Sequence, residues 1–590
     1  MTRPRRWILL IGGALFVVIG GGVILDLSLE RALRSPVDAY LRSRTLNLLR
    51  VEGGSGLSVI IPSLKLSMLR RRLELRDIRI RYDHREGERY TRFEAAAPSV
   101  VMTGLDLSDL IWHRNFRLVG VQIQSPVLRN LDEGPADTAA RAPVGLSDTL
   151  AAVFPAPDTL LYRIVANWLP DNVRGGRIDR LLVEHATFVW QSHHGTAGSF
   201  DSTQDLTLGM EGLQLDSTEH RVFDHGTLTF ASLLHISLPA NDTVLVERGL
   251  LTVAREDTAY SVASVRTGPG ENGQAVRMIG VTRSQARNTL AIDSLFSGPR
   301  GSDADFFRGA RERRTRVRIA ANGIAVTGLR QEGILQRRAT PATIRINSVD
   351  LDILADQRIP AGPPERRTPW PARFASVPWT LGADSIILAD GRLLYGELRP
   401  DQPKPAEVLF DNLRATILNA TNDSTRSGAR APMVTYARAR LYGQGELSAT
   451  ITVPVQGGPL NTRVTGKLTA MPISPLNRFL TAGDGISITS GAIQQAEFHF
   501  QVLRGHAFGT FTAGYTDLDL SVVNKVTGKQ NLGAKLKTFM AGLMVRKNSA
   551  TDKNGAITPA PIRYEIQPGD TFWGIMWQAL RSGIVKQIKH

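Results

Sequence analysis

The chain of 590 residues contains no cysteine. This absence excludes disulfide bonds, zinc ribbons, iron–sulfur clusters and thiol nucleophiles together. The sequence also lacks common active-site motifs: it has no Gly-rich loop that ends in Lys-Ser or Lys-Thr, no Gly-x-Ser-x-Gly and no His-Glu-x-x-His. We therefore expect a protein that is not an enzyme, with no catalytic residue and no cofactor.

Histidines that could bind a metal are few and poorly placed. His193 and His194 lie in a polar stretch that is typical of an exposed turn. His220 and His225 are five residues apart, and on a strand that offset places them on opposite faces. We expect no metal site at either position.

The chain is strongly basic, with 71 Lys and Arg against 55 Asp and Glu and a formal net charge of +16. Such a balance favours anionic partners. Arg76, Arg79 and Arg81 fall on one side of a strand pattern, which favours the solvated outer face of a sheet. An acidic lipid surface is the second interpretation. Nucleic acid comes last, and we expect none as a partner.

The longest run without a charged residue is Trp7–Leu25. At a rise of about 1.5 Å per residue this run makes a helix of about 28 Å, close to the roughly 30 Å hydrocarbon core of a bilayer. Three arginines precede it, which predicts a cytoplasmic stub at 1–6 and a body on the other side of the membrane. A cleaved signal peptide is the alternative, but its apolar region is normally shorter. We predict a retained single-pass anchor at 7–25.

Residues 26–50 are predicted to form an amphipathic capping helix. Ser35 supplies an N-cap oxygen and Pro36 stands where its missing N–H costs nothing. Val37 and Leu41 recur at helical spacing. We expect this helix to cover the first end of the structure that follows.

From Leu64 the hydrophobic period changes from helical to two. Alternation of apolar and polar residues predicts strands with one dry face and one wet face. The alternation slips by one residue at Asp77, and such a slip predicts a bulge or bend.

Two phrases recur along the chain. In the first, two apolar pairs surround a turn residue, and it occurs at Val121–Leu128, Leu181–Trp190, Ile386–Tyr395 and Ile486–Phe500. The second begins with Gly or Asn, and it occurs at Gly212–Leu215, Gly323–Val326 and Asn412–Ala415. These degenerate repeats predict a mainly β fold, an elongated and curled antiparallel sheet of similar units. Two or three unrelated β-domains are the alternative.

Interruptions of the strand pattern set the predicted domain boundaries. The predicted regions are an N-terminal β region at 57–355 with a helical insertion near 132–176, a Pro-rich crossover at 356–376, a C-terminal β module at 377–530 and a helical tail at 531–590. Ser297–Arg316 is polar and basic and is predicted to be a loop, in which we expect Asp303 and Asp305 to be solvated.

The tail contains two predicted amphipathic helices, Ala534–Val545 and Thr571–Ile588. Tryptophans beside basic residues on such a helix suit a membrane interface. The candidate interface residues are Trp573, Trp577, Arg581 and Lys586. A helix that closes the last open edge of the sheet is the alternative.

Several stretches resemble a known family. They are Leu66–Ile80 and Leu110–Leu131 near the start, and Gly443–Leu480, Ile486–Val502 and Gly505–Leu520 near the end. In these stretches the chain resembles the AsmA-like envelope proteins of diderm bacteria. The resemblance implies a sheet curled into a groove, anchored in the inner membrane with its body in the periplasm. It also implies a link to outer-membrane homeostasis and to phospholipid movement, in the manner of repeating-β-groove, bridge-like lipid transfer proteins.

A second resemblance is local. Tyr564–Ile575 is similar to the opening of a LysM glycan-binding module. That module needs a second helix and a returning strand, whereas the residues after Tyr564 are typical of a single helix. We expect no glycan site there.

Our leading hypothesis is a protein that binds or conducts phospholipid along an apolar β-groove. The candidate lining residues are Leu73, Leu75, Ile78, Ile80, Val121, Ile123, Ile486 and Ile488. Phospholipids, the inner membrane and another envelope protein are the expected partners. The alternative is an envelope scaffold or assembly factor that engages client proteins through its sheet edges.

Overall fold

The structure is a computed structural model. It describes residues 31, 35, 37–39, 56–106, 115–135, 175–214, 223–238, 242–254, 256–268, 274–360, 370–400, 404–456, 460–484, 486–522, 545–551, 555–567, 570 and 572–589. The predictions that lie wholly or largely outside these residues are the stub at 1–6, the anchor at 7–25, the capping helix at 26–50, the insertion near 132–176 and the helix at 534–545. Among the described residues, no helix has the length and hydropathy needed to span a bilayer.

The predicted fold class is confirmed in its main feature, because the chain is mainly β with 67% of it in strands. The chain divides into two compact units. Unit 1 comprises Met1–Glu271 with Val281–Ala286, and unit 2 comprises Asn272–Gly280 with Arg287–His590. The division falls within one strand, Gln274–Ser284, while the Pro-rich segment at 356–376 lies inside unit 2.

Unit 1 is built on a sheet of successive strands. They are β1 (Leu57–Ile60), β2 (Ser63–Ser67), β3 (Arg72–Glu86), β4 (Arg89–Thr103), β5 (Asn115–Gln124), β6 (Val127–Gly134), β7 (Gly175–His194), β8 (Ala197–Gln214), β9 (His225–Leu238), β10 (Asp242–Val253) and β11 (Thr258–Thr267). Strand β12 (Gln274–Ser284) is the one divided between the units. The described pairings are antiparallel except those of β5 and β6 with β7, which are parallel.

Unit 2 continues with strands and short helices. Its strands are β13 (Thr289–Pro299), β14 (Thr315–Thr327), β15 (Arg338–Ala339), β16 (Thr343–Asp356), β17 (Thr380–Leu398), β18 (Ala406–Thr421), β19 (Met433–Leu441), β20 (Gly445–Val453), β21 (Thr462–Leu468), β22 (Met471–Pro472), β23 (Ile486–Leu503), β24 (His506–Val522) and β25 (Ala560–Glu565). Its helices are α1 (Asp303–Phe307), α2 (Gln331–Leu335), α3 (Trp370–Ala375), α4 (Asn477–Asp484) and α5 (Phe572–Ile588). Strands β16 and β17 are parallel, so the segment between them returns the chain to the same end of the sheet.

Residues with a left-handed backbone lie near the middle of many of these strands. Asp77 in β3 is one of them, with φ of 55°. It is skipped in the pairing with β4 together with Pro98, since Arg76 is opposite Ser99 and Ile78 is opposite Ala97, so the register is unchanged and neither strand has an extra residue. The alternation nevertheless reverses at Asp77, because Leu75 before it and Ile78 after it are buried in one cluster. Of the two predictions made from the slip at Asp77, a bend fits this pairing and a bulge does not.

The second recurring phrase also contains a left-handed residue inside a strand. Its first residue has a positive φ in each case: 65° at Gly212, 62° at Gly323 and 51° at Asn412. Glycine and asparagine adopt this left-handed conformation at the lowest cost. A phrase that looks like a short strand signal thus begins at a left-handed residue inside a strand.

The first phrase does not contain a chain-reversing turn. In β7, β17 and β23 the supposed turn residues lie inside one continuing strand. In the remaining case β5 and β6 both pair with β4 on one side and with β7 on the other, so they are two halves of an interrupted strand. A polar residue between two apolar pairs is compatible with either structure, which is why periodicity did not separate them.

The predicted loop at Ser297–Arg316 is partly structured. Strand β13 extends to Pro299, β14 begins at Thr315, and helix α1 lies between them. Ser302 caps this helix: its hydroxyl accepts a hydrogen bond from the backbone N–H of Asp305, whose carboxylate accepts from the backbone N–H of Ser302. Phe306 and Phe307 are buried against Leu354 and hold the helix in place.

The expectation that Asp303 and Asp305 are solvated is confirmed for Asp305, which is exposed, and was wrong for Asp303, which is half-buried. Asp305 belongs to the capping box, and the Ser302 hydroxyl beside it lowers the pKa of its carboxyl. Asp303 forms ion pairs with Arg316 at 3.1 Å and with Arg318 at 2.7 Å. Arg316 is 4% exposed and also reaches Asp352 at 2.7 Å. A buried guanidinium needs such partners, because desolvation of an unpaired charge is costly.

Replacement of Arg316 by Met should destabilise unit 2 by about 3 kcal/mol, since it leaves two partly buried carboxylates without their shared cation. Arg318→Met is the matched control; its side chain is 39% exposed, and we expect a cost below about 1 kcal/mol. Urea unfolding of the two variants, followed by circular dichroism, measures the difference. Equal costs for the two substitutions would contradict a buried role for Arg316.

Candidate functional site: two apolar strips

The register of unit 1 brings apolar side chains of nine strands into two adjacent rows, which we call the unit 1 strip. The first row, from β2 to β11, is Leu64, Leu75, Val100, Ile123, Val183, Leu208, Leu228, Leu251 and Tyr260. The second row includes Leu66, Leu73, Met102, Val121, Leu181, Met210 and Val253. With neighbouring strands about 4.8 Å apart, eight gaps carry the strip over about 38 Å.

Polar residues alternate with the strip along each strand. In β3, Arg72, Glu74 and Arg76 lie between and beside Leu73 and Leu75 and point to the other face. Hydrogen bonding and charge from Arg76, with a smaller contribution from Arg72, hold the pKa of Glu74 below its usual value. The face opposite the strip is therefore charged and hydrogen-bonded, as the alternating arginines in the sequence suggested.

The structure brings four predicted lining residues together in this strip. Leu73 and Val121 are two strands apart in one row, and Leu75 and Ile123 in the other. Leu73, Leu75 and Val121 are buried, while Ile123 is half-buried.

Two further lining candidates and one residue of the predicted capping helix pack against the buried residues around Leu75. Ile78 and Ile80 follow Asp77 on β3 and pack against the residues around Leu75. Val37 packs against this cluster as well. The end of the strip at β2–β4 is thus covered by a residue of the predicted capping helix.

Unit 2 carries its own pair of rows over eleven strands, which we call the unit 2 strip. One row, from β13 to β25, is Leu290, Val326, Ile344, Ile386, Ile417, Thr435, Ile451, Val464, Phe500, Gly509 and Ile562. The other is Ile292, Ile324, Ile346, Leu388, Ala415, Ala437, Ala449, Gly466, Phe498, Phe511 and Ala560. Ten gaps extend this strip over about 48 Å.

The remaining two lining candidates lie elsewhere in unit 2. Ile486 and Ile488 are on β23, but the rows of the unit 2 strip cross that strand at Phe498 and Phe500. Ile488 is buried in the C-terminal core. Its backbone is held by Asn477 of α4, which donates to the Ile488 carbonyl at 2.9 Å and accepts from its N–H at 2.7 Å. These residues therefore lie beside the strip and not within it.

Helix α5 covers the β23–β25 end of the unit 2 strip. Ile575, Met576 and Ala579 pack into one core with Phe500 and Phe511. The helix comes close enough that a Cβ at Gly583 would lie 2.7 Å from the Cβ of Phe511. The predicted apolar stripe of the last helix thus faces the sheet, as the alternative interpretation of a closing helix requires.

Three of the four predicted membrane-interface residues on α5 are exposed. Trp573 is 58% exposed, and Arg581 and Lys586 are exposed. Trp577 is half-buried, with its ring in an edge-to-face contact with Phe479 at 5.3 Å between centroids. One tryptophan therefore packs against the protein, while the other is presented to solvent together with two cations.

We expect Ile575→Ala to destabilise unit 2 by about 3 kcal/mol, because it leaves a cavity between α5 and the strip. Trp573→Ala, two residues away, should change the free energy of unfolding by less than about 0.5 kcal/mol. Thermal and urea unfolding of the two variants test this contrast. A large loss of stability in Trp573→Ala would show that this ring is part of the core.

Charges at the edge of unit 1 are arranged around Asp83 in β3. Arg92 donates a hydrogen bond from Nε to Oδ1 of Asp83 at 2.8 Å, and Tyr90 donates from its hydroxyl at 2.8 Å. These contacts, led by Arg92 and joined by Arg81, lower the pKa of Asp83 to about 2. In contrast, burial raises the pKa of Tyr260, which ends the first row of the unit 1 strip.

The low pKa of Asp83 predicts a pH-dependent contribution to stability. An unfolded Asp titrates near about 3.9, so the contribution is fully present above that pH and is lost as the pH falls through about 2. The difference in the free energy of unfolding between the wild type and Asp83→Asn should thus be constant from pH 7 to about 5 and shrink below about 4. Urea unfolding at several pH values measures it. A difference that does not change with pH would contradict the ion pair.

The histidines singled out in the sequence form no metal site in the part of the chain that the structure describes, where no group of three suitable ligands exists. His193 and His194 end strand β7, and His194 lies 3.5 Å from Asp132. His225 is on β9, while His220 is outside the described residues.

Sequence reasoning missed most residues of the two strips. The alternation that would reveal it is present in each strand, for example in Leu206, Leu208 and Met210. Pairing between strands decides which of these sets come into line, and no short-range signal carries that information.

No family model matches the chain, and no curated protein matches it either.

Proposed function

We propose that this chain binds phospholipid through its two apolar strips and conducts it along them. The observation that supports this proposal is the continuity of apolar side chains across nine strands of unit 1 and eleven strands of unit 2. A soluble sheet needs an apolar face only where it packs against other elements. Rows of this length would offer an acyl chain apolar contacts along the whole path across the strands.

Energetics favours acyl chains as the ligand. Each CH₂ group transferred from water to such a surface gains about 0.8 kcal/mol, while a phosphate head group can stay in water at the edge. Several side chains in the middle of the strips are half-buried, as at Val183, Leu228, Ile346 and Ile386, although Val183 and Leu228 also pack against the buried cluster around Met210. No catalytic group is required, because the protein lowers the cost of taking lipid out of a bilayer.

The proposed setting is the envelope of a diderm bacterium. Residues 7–25 would anchor the chain in the inner membrane, with the body in the periplasm, where it would support outer-membrane homeostasis. The exposed Trp573 with Arg581 and Lys586 suits contact with an anionic membrane surface. A partner envelope protein would then receive or supply the lipid.

An assembly factor that works through open sheet edges is the weaker candidate. The backbone N–H of Arg563 on β25 donates to the hydroxyl of Ser582 on α5 at 3.1 Å. Part of this edge is thereby occupied, which leaves less of it for a client strand.

Site-specific photo-crosslinking in cells tests the lipid proposal. The full-length chain carries p-benzoylphenylalanine at Leu228 or Ile346, on the strips, or at the adjacent Thr229 or Arg345, which point to the opposite faces. We expect phospholipid adducts, detected by mass spectrometry, to be at least ten times more abundant at the two strip positions. Equal labelling on both faces, or no lipid adduct at any position, would contradict the proposal.

A charge-matched pair of variants gives an independent readout. Leu228→Asp places a carboxylate against the acyl chains, where an unpaired charge is costly, and lipid that co-purifies with the protein should fall at least tenfold. Thr229→Asp adds the same charge to the exposed face and should leave bound lipid unchanged. Circular dichroism confirms that both variants are folded before lipid is quantified.

A further inference from the structure

The face of unit 2 opposite its strip contains a shallow concavity of about 640 Å³. This volume lies in the range of binding sites for small molecules. Most of its lining residues alternate with the unit 2 strip on six strands, β18–β21, β23 and β24; the others belong to one row of the strip itself and are Leu388, Ala415, Ala437, Ala449, Gly466 and Phe498. Successive residues of a strand point to opposite faces, so the side chains of the first set lie on the face opposite the proposed lipid path.

Two polar rows line the concavity. One consists of Thr416, Tyr436, Thr450, Thr465, His499 and Thr510. The other begins with Arg414 and Arg438 and continues through Ser448, Lys467 and Glu497. Five gaps between strands give these rows a length of about 24 Å, which suits an extended ligand better than a compact one.

The arginines at the start of the second row are not neutralised. Arg414 and Arg438 are directly opposite one another on β18 and β19, and both are exposed. Like charges in this position destabilise a sheet. Lys467 has Glu497 at 2.9 Å, but within the described residues no carboxylate lies at ion-pair distance from Arg414 or Arg438. The protein thus maintains a repulsive pair that an anion would relieve.

The first row presents an aromatic ring among hydroxyl groups. Tyr436 is 50% exposed although it lies in the middle of a sheet face. The hydroxyls of Thr416, Thr450 and Thr465 have no hydrogen-bond partner among the residues that the structure describes, so they are available to donate and accept. A ring of this kind offers an apolar surface with a polar edge, which matches the CH-rich face and hydroxyl rim of a sugar.

We propose that this face binds an anionic oligosaccharide that lies across β18–β24. The guanidinium groups of Arg414 and Arg438 would take a carboxylate or phosphate of the chain with paired hydrogen bonds. Tyr436 would stack on a neighbouring sugar ring, and the threonines would exchange hydrogen bonds with its hydroxyls. The proposal is independent of lipid binding, since it uses the other face of the sheet.

Isothermal titration calorimetry on the full-length chain in detergent micelles tests this inference. The probes are hexagalacturonate, which has a carboxylate on every ring, and maltohexaose, a neutral chain of equal length. We expect hexagalacturonate to bind and maltohexaose to bind at least tenfold more weakly. The affinity for hexagalacturonate should fall as the salt concentration is raised. Arg414→Gln with Arg438→Gln should weaken hexagalacturonate at least tenfold, and Tyr436→Ser should weaken it as well.

A second pair of exposed arginines in unit 2 supplies the control. Arg430→Gln with Arg504→Gln removes the same charge from two loops and should leave the affinity unchanged. The Arg414 and Arg438 variant should unfold at the same temperature as the wild type or above it, because a like-charge pair is removed; its loss of binding then cannot be loss of fold.

Four results would overturn the inference. They are no binding of hexagalacturonate, equal binding of maltohexaose, unchanged affinity in the Arg414 and Arg438 variant, and displacement of hexagalacturonate by inorganic phosphate at equal molar concentration. The last result would identify a simple anion site with no role for the sugar chain.

Discussion

The register of backbone hydrogen bonds between neighbouring strands is the constraint on which the rest of this structure depends. Each strand on its own only alternates apolar and polar residues. Pairing aligns Leu75 with Val100 and Ile123 in unit 1, and Ile344 with Ile386 and Ile417 in unit 2. A shift of one residue in any pair would turn that strand's apolar residues to the wet face and interrupt the row. The two apolar strips are thus a product of register.

Left-handed residues within the strands make this arrangement compatible with bent strands. The register is the same on both sides of Asp77 and of Gly323, so neither adds a residue to its strand; across Asp77 the alternation of buried residues nevertheless reverses. Apolar side chains before and after the bend then stay on one face. The recurring Gly or Asn has a physical reason: left-handed backbone costs these residues less than others.

The two faces of the unit 2 sheet carry different side chains, apolar on one and polar or charged on the other, and therefore suit different ligands. One face has aliphatic rows that suit acyl chains, and helix α5 covers their far end through Ile575 and Met576. The other has hydroxyls, an exposed Tyr436 and two unneutralised arginines, which suit a charged and hydroxylated chain. A protein that carries lipid on one face could in this way hold to an anionic glycan with the other.

The sequence by itself determined the mainly β class, the break in alternation at Asp77 and the apolar stripe of the last helix, because each depends on residues close together in the chain. It also placed Leu73, Leu75, Val121 and Ile123 on an apolar face. Only the tertiary structure decided which strands are neighbours, that β16 and β17 run parallel, and that Ile488 lies under α4 and outside the strip. Strand pairing joins residues far apart in sequence, and so does the ion pair of Asp303 with Arg316, which local patterns did not predict. Periodicity shows that a residue faces one side of a strand, whereas only the register shows which residues of other strands it meets.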